Sequence, residues 1–497
     1  MLWLLRKALG AAVYSVLGAF LAGLAIYVAM ARSMPDLRAW HRDRLVEEFR
    51  ADRDGNEDLP AYLEREVRLF TAFERWKRQH GPTGPTAASN RFNPEPQREL
   101  PVVLDRDWNR TVELPAERPR GSVLLAHGLT DSPYSMRALA AFFRERGFHV
   151  LALRLPGHGT IPGALRHVSW RDWQAAFRIA AEYVGAHRGD GPFWVVGYST
   201  GGSLAIDYAL RTLEGDDAPR PSRVILLSPA IGVSPVAALA RFQNELSLLP
   251  GLEKLAWTAI LPEYDPHKYN SFPVLAGDEV FRLTVEVEER FERARRNGRL
   301  AELPPILAFQ SVVDATTNAS AVEAMFARLA PNGSELVLFD LNRVARAEEF
   351  LSSPHRTLIE AVERAPSLPH AVTVVTNANG ETPQVVARTR AAGAQDWSEE
   401  ALDQSWPMGV YSLSHVAVPF PPDDPYYGSR EATGRTTLGS LEIRGERGVL
   451  QISAADIQRL RYNPFFEYVT DRLAAVAAGD GSVPAQEFAL PAGVHPQ

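Results

Sequence analysis

The pentapeptide Gly197-Tyr198-Ser199-Thr200-Gly201 constrains the fold more than any other part of this chain, because of what flanks it. Before it runs Phe193-Trp194-Val195-Val196, a short apolar stretch that reads as a buried parallel strand. After it, Gly202 to Leu210 carries Leu204, Tyr208 and their neighbours at helical spacing. Strand, G-x-S-x-G and helix together form the context of a nucleophile elbow. A turn this tight brings the strand and helix backbones together with no room for side chains, hence the glycines. The serine itself must accept a strained backbone conformation to raise its hydroxyl above the sheet edge. In a chain with 35 glycines the bare pentapeptide arises readily by chance, so its flanks are what give it weight.

A second motif lies upstream. Ser122-Val123-Leu124-Leu125-Ala126 is another buried-strand run and ends in His127-Gly128-Leu129-Thr130-Asp131-Ser132-Pro133. An oxyanion hole needs two backbone N–H groups, one from the residue after the nucleophile and one from the loop after this strand. Here they belong to Thr200 and Leu129. His127 stands at a strand end, which points to a structural role. His158, in Pro156-Gly157-His158-Gly159-Thr160 after the strand Val150 to Leu153, reads as a loop-shaping residue.

With these motifs the chain resembles the α/β-hydrolase superfamily, in particular its monoacylglycerol lipase-like and carboxylesterase-like branch, often grouped with serine aminopeptidases. The resemblance covers roughly residues 100 to 475. It implies a mostly parallel central sheet with a helical cap, and a catalytic chain order of serine, acid, histidine. The acid is expected after a late strand. Pro305 to Gln310 is such a strand and leads into Ser311-Val312-Val313-Asp314, so Asp314 is the candidate, with Asp340 as the fallback. The histidine departs from the compact family pattern, because an insertion of mixed character separates Asn342 from Pro407. His415 follows a short strand-like segment and precedes a rigid Pro-Phe-Pro-Pro loop, a setting that resembles the histidine loop of larger bacterial members. His415 is the choice and His355, in Ser352-Ser353-Pro354-His355, the second. His370 opens an apolar run and reads as a strand-end residue.

These roles imply acyl transfer. His415 takes the proton of Ser199 during attack on an acyl carbonyl, and Asp314 holds the imidazole in the right tautomer. The Leu129 and Thr200 amides stabilise the oxyanion by roughly 3 kcal/mol per donor. No metal and no organic cofactor is required. The implied partner is a small-molecule or lipid ester.

The N-terminus carries an independent signal. Ala8 to Met30 is a run of 23 residues without a charge, long enough to cross a bilayer as one helix. A cleaved signal peptide is the competing reading, since Ala29-Met30-Ala31 has the small-x-small form. The run exceeds a usual signal-peptide core, which supports an uncleaved single-pass anchor in a bacterial cytoplasmic membrane. Arg6 and Lys7 argue for a cytoplasmic N-terminus, against the pull of Arg32, Arg38, Arg42, Arg44 and Arg50. The orientation adopted puts the catalytic domain outside the cytoplasm.

Charge and cysteine content exclude some classes. A net charge of −7 with no basic cluster argues against nucleic acid. With no cysteine there is neither disulfide, thiolate catalysis nor a cysteine-ligated metal. Only Lys7, Lys77, Lys254 and Lys268 among 53 basic residues are lysines, which looks like GC-rich coding bias.

The expected organisation is an anchor at 8–30, a charged helical neck and linker at 31–98, a hydrolase domain at 99–478 and a tail at 479–497. Within the hydrolase domain a cap is expected at about 236–303 and the insertion at about 343–406. Leu246, Leu248, Leu249, Leu252, Leu255, Trp257 and Ile260 either line an acyl pocket or hold the cap to the core. A serine hydrolase is the first functional reading. A non-catalytic, membrane-tethered binding protein on the same fold is the alternative, since fold alone does not establish activity. Peptidase and thioesterase chemistry stay open within the enzyme class.

Overall fold

A computed structural model of the chain describes residues 2–84, 87–94, 104–215, 218–232, 240–314, 316–346, 353–407, 409, 413–434, 437–439 and 460–479. The expected tail beyond Gly479 and the start of the expected cap lie outside them.

Among the described residues the chain forms twelve strands. They are β1 (Val112–Leu114), β2 (Gly121–Ala126), β3 (Phe148–Leu153), β4 (Phe193–Tyr198), β5 (Arg223–Leu227), β6 (Trp257–Ala259), β7 (Phe272–Pro273), β8 (Ile306–Ser311), β9 (Glu335–Phe339), β10 (Ala371–Asn377), β11 (Gln384–Arg390) and β12 (Ser398–Ser405). Among the described residues, ten of these join one sheet in the order β1-β3-β2-β4-β5-β8-β9-β10-β11-β12. From β3 to β10 every neighbouring pair is parallel, while β1, β11 and β12 add antiparallel edges. β2, β3, β4, β8 and β9 are buried along their whole length, as unbroken apolar runs covered on both faces should be. Helices Trp170–Ala186 and Thr200–Leu213 cover one face, and the first of them is set by a capping box in which Ser169 and Asp172 satisfy each other's backbone N–H groups.

The segment expected as an insertion does not stand apart from the sheet. It supplies the helix Ser353–Arg364 and then β10, β11 and β12, with Val372 registered against Leu336 on β9. The sheet is thereby extended at the edge beside which the acid-bearing loop emerges.

The segment expected as a neck packs onto the same body. Its helix Leu59–His80, capped by Asp58 on the Ala61 amide, buries Tyr62, Leu69, Phe70, Phe73 and Trp76. At its base lies a buried ion cluster. The Arg154 guanidinium donates to Glu48 Oε1 at 2.9 Å and Oε2 at 3.2 Å, and to Glu66 Oε2 at 2.9 Å. Glu66 also accepts from the Thr111 amide and hydroxyl, and the Tyr62 hydroxyl donates to the Arg154 carbonyl. Burial disfavours the charged Arg154, yet the two carboxylates raise it well above its ordinary value. Removing the arginine would strand two buried carboxylates, a change that costs about 3–5 kcal/mol in comparable pairs. We therefore expect Arg154→Met to lower stability by about that amount, with most of it recovered when Glu48→Gln and Glu66→Gln are added. Urea unfolding followed by tryptophan fluorescence in detergent reads both, and an unchanged midpoint for Arg154→Met would show that the clamp contributes nothing.

Between β5 and β8 the cap is built from helix Ala240–Leu246, the β6–β7 hairpin and helix Val274–Arg296. Leu255, Trp257 and Ile260 are buried, and the latter two pack against Leu37 and Met34. Of the residues weighed for an acyl pocket, Trp257 and Ile260 hold the cap to the N-terminal segment, whereas Leu248 and Leu249 are exposed. The turn Glu263–Asn270 closes the cap through the Glu263 carboxylate, which accepts the Asn270 and Ser271 amides at 3.0 and 2.8 Å.

The helix Leu2–Ser33 leads into this body. Its stretch Gly10–Ala29 is long and apolar enough to cross a membrane, and none of that stretch is buried against the rest of the protein. A signal sequence meets the same description.

Candidate active site

The turn between β4 and helix Thr200–Leu213 has the geometry its glycines require. Ser199 takes φ 54° and ψ −117°, a conformation that non-glycine residues avoid and that persists only where the surroundings impose it. A Cβ on Gly197 would lie 2.1 Å from the Gly201 carbonyl oxygen, and one on Gly201 would lie 2.1 Å from that of Ala126. Both are contacts no side chain can make, so the strand–helix approach excludes anything larger at either position. Ser199 is held from behind by its own amide, which donates to the Leu227 carbonyl at 3.0 Å.

The loop after β2 comes up beside it. A Cβ on Gly128 would meet the Ser199 Cβ at 3.0 Å. Thr130 has φ 68°, which turns the loop across the top of the sheet. Among the described residues neither the Leu129 nor the Thr200 amide donates a hydrogen bond to another protein group. Thr200 opens its helix, so its N–H also stands at the positive end of the helix dipole.

Asp314 follows β8 and is buried. Its Oδ1 accepts the Thr316 and Thr317 amides, each at 2.8 Å, and its Oδ2 accepts the Thr317 hydroxyl at 2.7 Å and Gln310 Nε2 at 3.1 Å. The same Oδ2 stands 2.8 Å from His415 Nδ1, across 101 residues of sequence. Burial alone would raise this carboxyl. The charge and hydrogen bond of His415, with the bonds from Thr317, outweigh that and hold it at about 2. His415 itself begins a short 3-10 turn, His415–Ala417, and is largely buried. Its ring lies 5.2 Å from that of Tyr198, and the Tyr198 hydroxyl donates to the His415 carbonyl at 3.4 Å. The histidine loop is thus bonded to the residue immediately before Ser199.

The other candidates are engaged elsewhere. Asp340 binds Arg343 through Nε at 2.8 Å and Nη2 at 2.7 Å and accepts the Thr376 hydroxyl, closing the ends of β9 and β10. His355 belongs to the helix Ser353–Arg364. His370 immediately precedes β10 and is buried, its imidazole depressed to about 4 chiefly by burial. His127 accepts the Leu155 amide at Nε2, and its Nδ1 lies 2.8 Å from the Gly128 carbonyl. His158 packs edge-on against it, with ring centroids 4.9 Å apart. Burial depresses both rings, His158 to about 3. Both act as neutral struts beneath the loop after β2.

Sequence reasoning passed over a charged pair at this site. Asp131 is buried, and its Oδ2 would lie 3.1 Å from the same Gly128 Cβ that approaches Ser199. Its Oδ1 is 3.1 Å from Lys268 Nζ on the cap turn. Burial raises the Asp131 carboxyl, opposed by the charges of Lys268 and His415. The Tyr269 amide, next to that lysine, donates to the Thr130 carbonyl at 2.8 Å, so the cap turn is bonded to the loop after β2 twice. The available signal was the scarcity of lysine, since one of only four falls in the cap turn. Among the described residues no cluster of His, Asp and Glu has the arrangement of a metal site.

Ser199 after the fourth strand and Asp314 after a later parallel strand of the same sheet both fall within a family match. The model "Hydrolase_4: Serine aminopeptidase, S33" matches residues 117–341, which include Ser199 and Asp314. Over these residues the chain is similar to that family, and its fold is that of an α/β-hydrolase. His415 lies beyond the matched stretch, and its link to Asp314 is the 2.8 Å contact alone.

Two curated relatives of this chain are lipolytic enzymes. A thermostable monoacylglycerol lipase from Bacillus sp. (strain H-257) is 26% identical over 178 residues, or 36% of this chain and 67% of the relative. The phospholipase YtpA of Bacillus subtilis (strain 168) is 29% identical over 119 residues, or 24% of this chain and 44% of the relative. Among solved structures, one from work on LipS and LipT, two metagenome-derived lipolytic enzymes, is 24% identical with a TM-score of 0.37. It covers 53% of this chain and 100% of its own. The monoacylglycerol lipase of Paleococcus ferrophilus is 23% identical with a TM-score of 0.35, covering 51% of this chain and 97% of its own.

Proposed function

We propose that this protein is a membrane-anchored serine hydrolase that cleaves carboxylic esters, lipid-derived ones included, through Ser199, His415 and Asp314. The observation that carries the reading is the 2.8 Å bond between His415 Nδ1 and the buried Asp314 carboxylate, in a loop also bonded to the residue before Ser199. That bond fixes the tautomer with Nε2 free to accept a proton. Nε2 takes the Ser199 proton as Oγ attacks the ester carbonyl, and the imidazolium formed is stabilised by a carboxylate held ionised. The Leu129 and Thr200 amides receive the oxyanion. Collapse of the tetrahedral intermediate expels the alcohol with the proton from His415. Water, deprotonated by the same nitrogen, then releases the acid and restores Ser199. Lipolytic relatives favour esters over amides or thioesters as substrates. A non-catalytic role would leave the strained Ser199 backbone and the low Asp314 carboxyl without a purpose.

The anchor is the helix Leu2–Ser33, with the body on the outer side of a bacterial cytoplasmic membrane. Burial of some twenty apolar residues should keep the full-length protein in the pellet through carbonate washing, while that pellet hydrolyses short-chain esters. Mass spectrometry of the native N-terminus separates the alternatives. A mature chain beginning at Arg32 would mean a cleaved signal peptide and would remove the anchor, leaving the hydrolase. A pellet without esterase activity would remove the hydrolase and leave the anchor.

A further inference from the structure

The root of the apolar N-terminal helix is fastened to the cap. Lys254 Nζ donates to the carbonyl oxygens of Arg32 at 3.3 Å and Met34 at 2.6 Å, and to Asp36 Oδ1 at 3.0 Å. The helix's last carbonyls are thereby capped by a lysine from another part of the chain, a favourable arrangement at the negative end of a helix dipole. Just beyond, Met34 and Leu37 pack with Ala256, Trp257 and Ile260 of the cap, and the Trp257 ring meets His41 edge-on at 4.8 Å. His41 in turn bonds Ser271, next to the cap turn, at 3.0 Å. On the near side, a Cβ at Gly251 would lie 3.6 Å from Arg32 Nη2.

The cap segment held against this root exposes apolar side chains that none of the described residues covers. Phe242 is 56% exposed, Leu248 74% and Leu249 52%. Outside the N-terminal helix, the other exposed large hydrophobic residues among those described are three valines, Val46, Val67 and Val285, so this segment holds the bulkiest. Leu249 is two residues from Gly251, within about 7 Å along the chain. If Gly10–Ala29 fills the hydrocarbon core, Arg32 lies only about 5 Å beyond its edge at 1.5 Å per residue. Residues beside Arg32 therefore stand at the headgroup level, where an apolar surface is buried about 5–10 Å into the boundary. Arg38 and Arg42 flank Asp36 at the same root and suit anionic headgroups.

We propose that Phe242, Leu248 and Leu249 form a membrane-docking surface of the cap, seated in the leaflet from which the N-terminal helix emerges. The occupant is the lipid bilayer itself. This rests on the membrane-span reading given under Proposed function. Its consequence is that the cap turn bonded to the oxyanion loop is held beside the lipid, so an acyl ester dissolved in the leaflet reaches the cap without crossing water.

The native chain has no cysteine, so single-cysteine variants of the full-length protein report one position each. Leu248→Cys, Leu249→Cys, Val16→Cys and Val67→Cys would carry a fluorophore in phosphatidylcholine vesicles containing lipid with a nitroxide high on its acyl chain. Val16 lies in the apolar helix and Val67 on the exposed face of the helix Leu59–His80. The expected result is quenching at 248, 249 and 16 at least threefold stronger than at 67. Quenching at 16 with 248 and 249 no different from 67 would overturn the docking surface and keep the span. Quenching at 248 and 249 without 16 would keep the docking surface and overturn the span. No quenching at any of the three would overturn both.

Discussion

Ester hydrolysis by the Ser199→Ala variant is expected to fall by a factor on the order of 10⁶, the size of effect seen when a triad nucleophile is removed from a serine hydrolase. What should remain is the smaller acceleration supplied by the oxyanion amides and by binding, which do not depend on the hydroxyl. The fold should survive, because the Ser199 amide and carbonyl, not its hydroxyl, make the bonds that hold the elbow. Its amide donates to Leu227, and its carbonyl accepts from Gly202, Ser203 and Ala230. Alanine also relieves none of the backbone strain at φ 54°, so any change in stability should be small. Initial rates on a short-chain ester, with circular dichroism as the control, read both parts. Turnover at the wild-type rate would remove Ser199 from the chemistry.

Replacing His415 with alanine should produce a loss of similar size, because Ser199 then has no proton acceptor and Asp314 has nothing to orient. His355→Ala should leave turnover within about twofold, as substitutions away from the reacting groups usually do. The contrast matters because the two histidines flank the segment that builds β10, β11 and β12. If the base followed β9 directly, as in a compact member of the superfamily, that segment would be part of the site loop. Instead the chain completes three further strands and returns 101 residues from Asp314 to make the 2.8 Å bond. Matched assays in which His355→Ala is inactive and His415→Ala is active would transfer the role.

What could be read from the residues was local or periodic. The elbow, the oxyanion loop and the acid loop each follow a strand whose apolar run is continuous, and that signal survives in any single sequence. The histidine was harder because its partner is defined only by closure of the fold. Nothing near His415 in sequence encodes the carboxylate it meets. The neck was misleading for a physical reason. Glu48 and Glu66 look like the solvated charges of a free helix, and only the structure shows that both end on Arg154, which is itself buried. The cap leucines failed to sort for the opposite reason. Leu248 and Leu255 are equally apolar, yet one is exposed and the other is buried, a difference that nothing in their local sequence encodes. Asp131 stood in plain view within the motif of the oxyanion loop, but its meaning depends on Lys268, 137 residues away.

Covalent capture decides whether Ser199 is an activated nucleophile. The full-length protein would be treated with a fluorophosphonate probe, digested, and the adduct located by mass spectrometry. The account predicts one adduct, on the peptide containing Gly197-Tyr198-Ser199-Thr200-Gly201 and on Ser199 itself. It should be absent from Ser199→Ala and formed far more slowly in His415→Ala. An adduct on a different serine, or undiminished labelling of the Ser199→Ala protein, would contradict it.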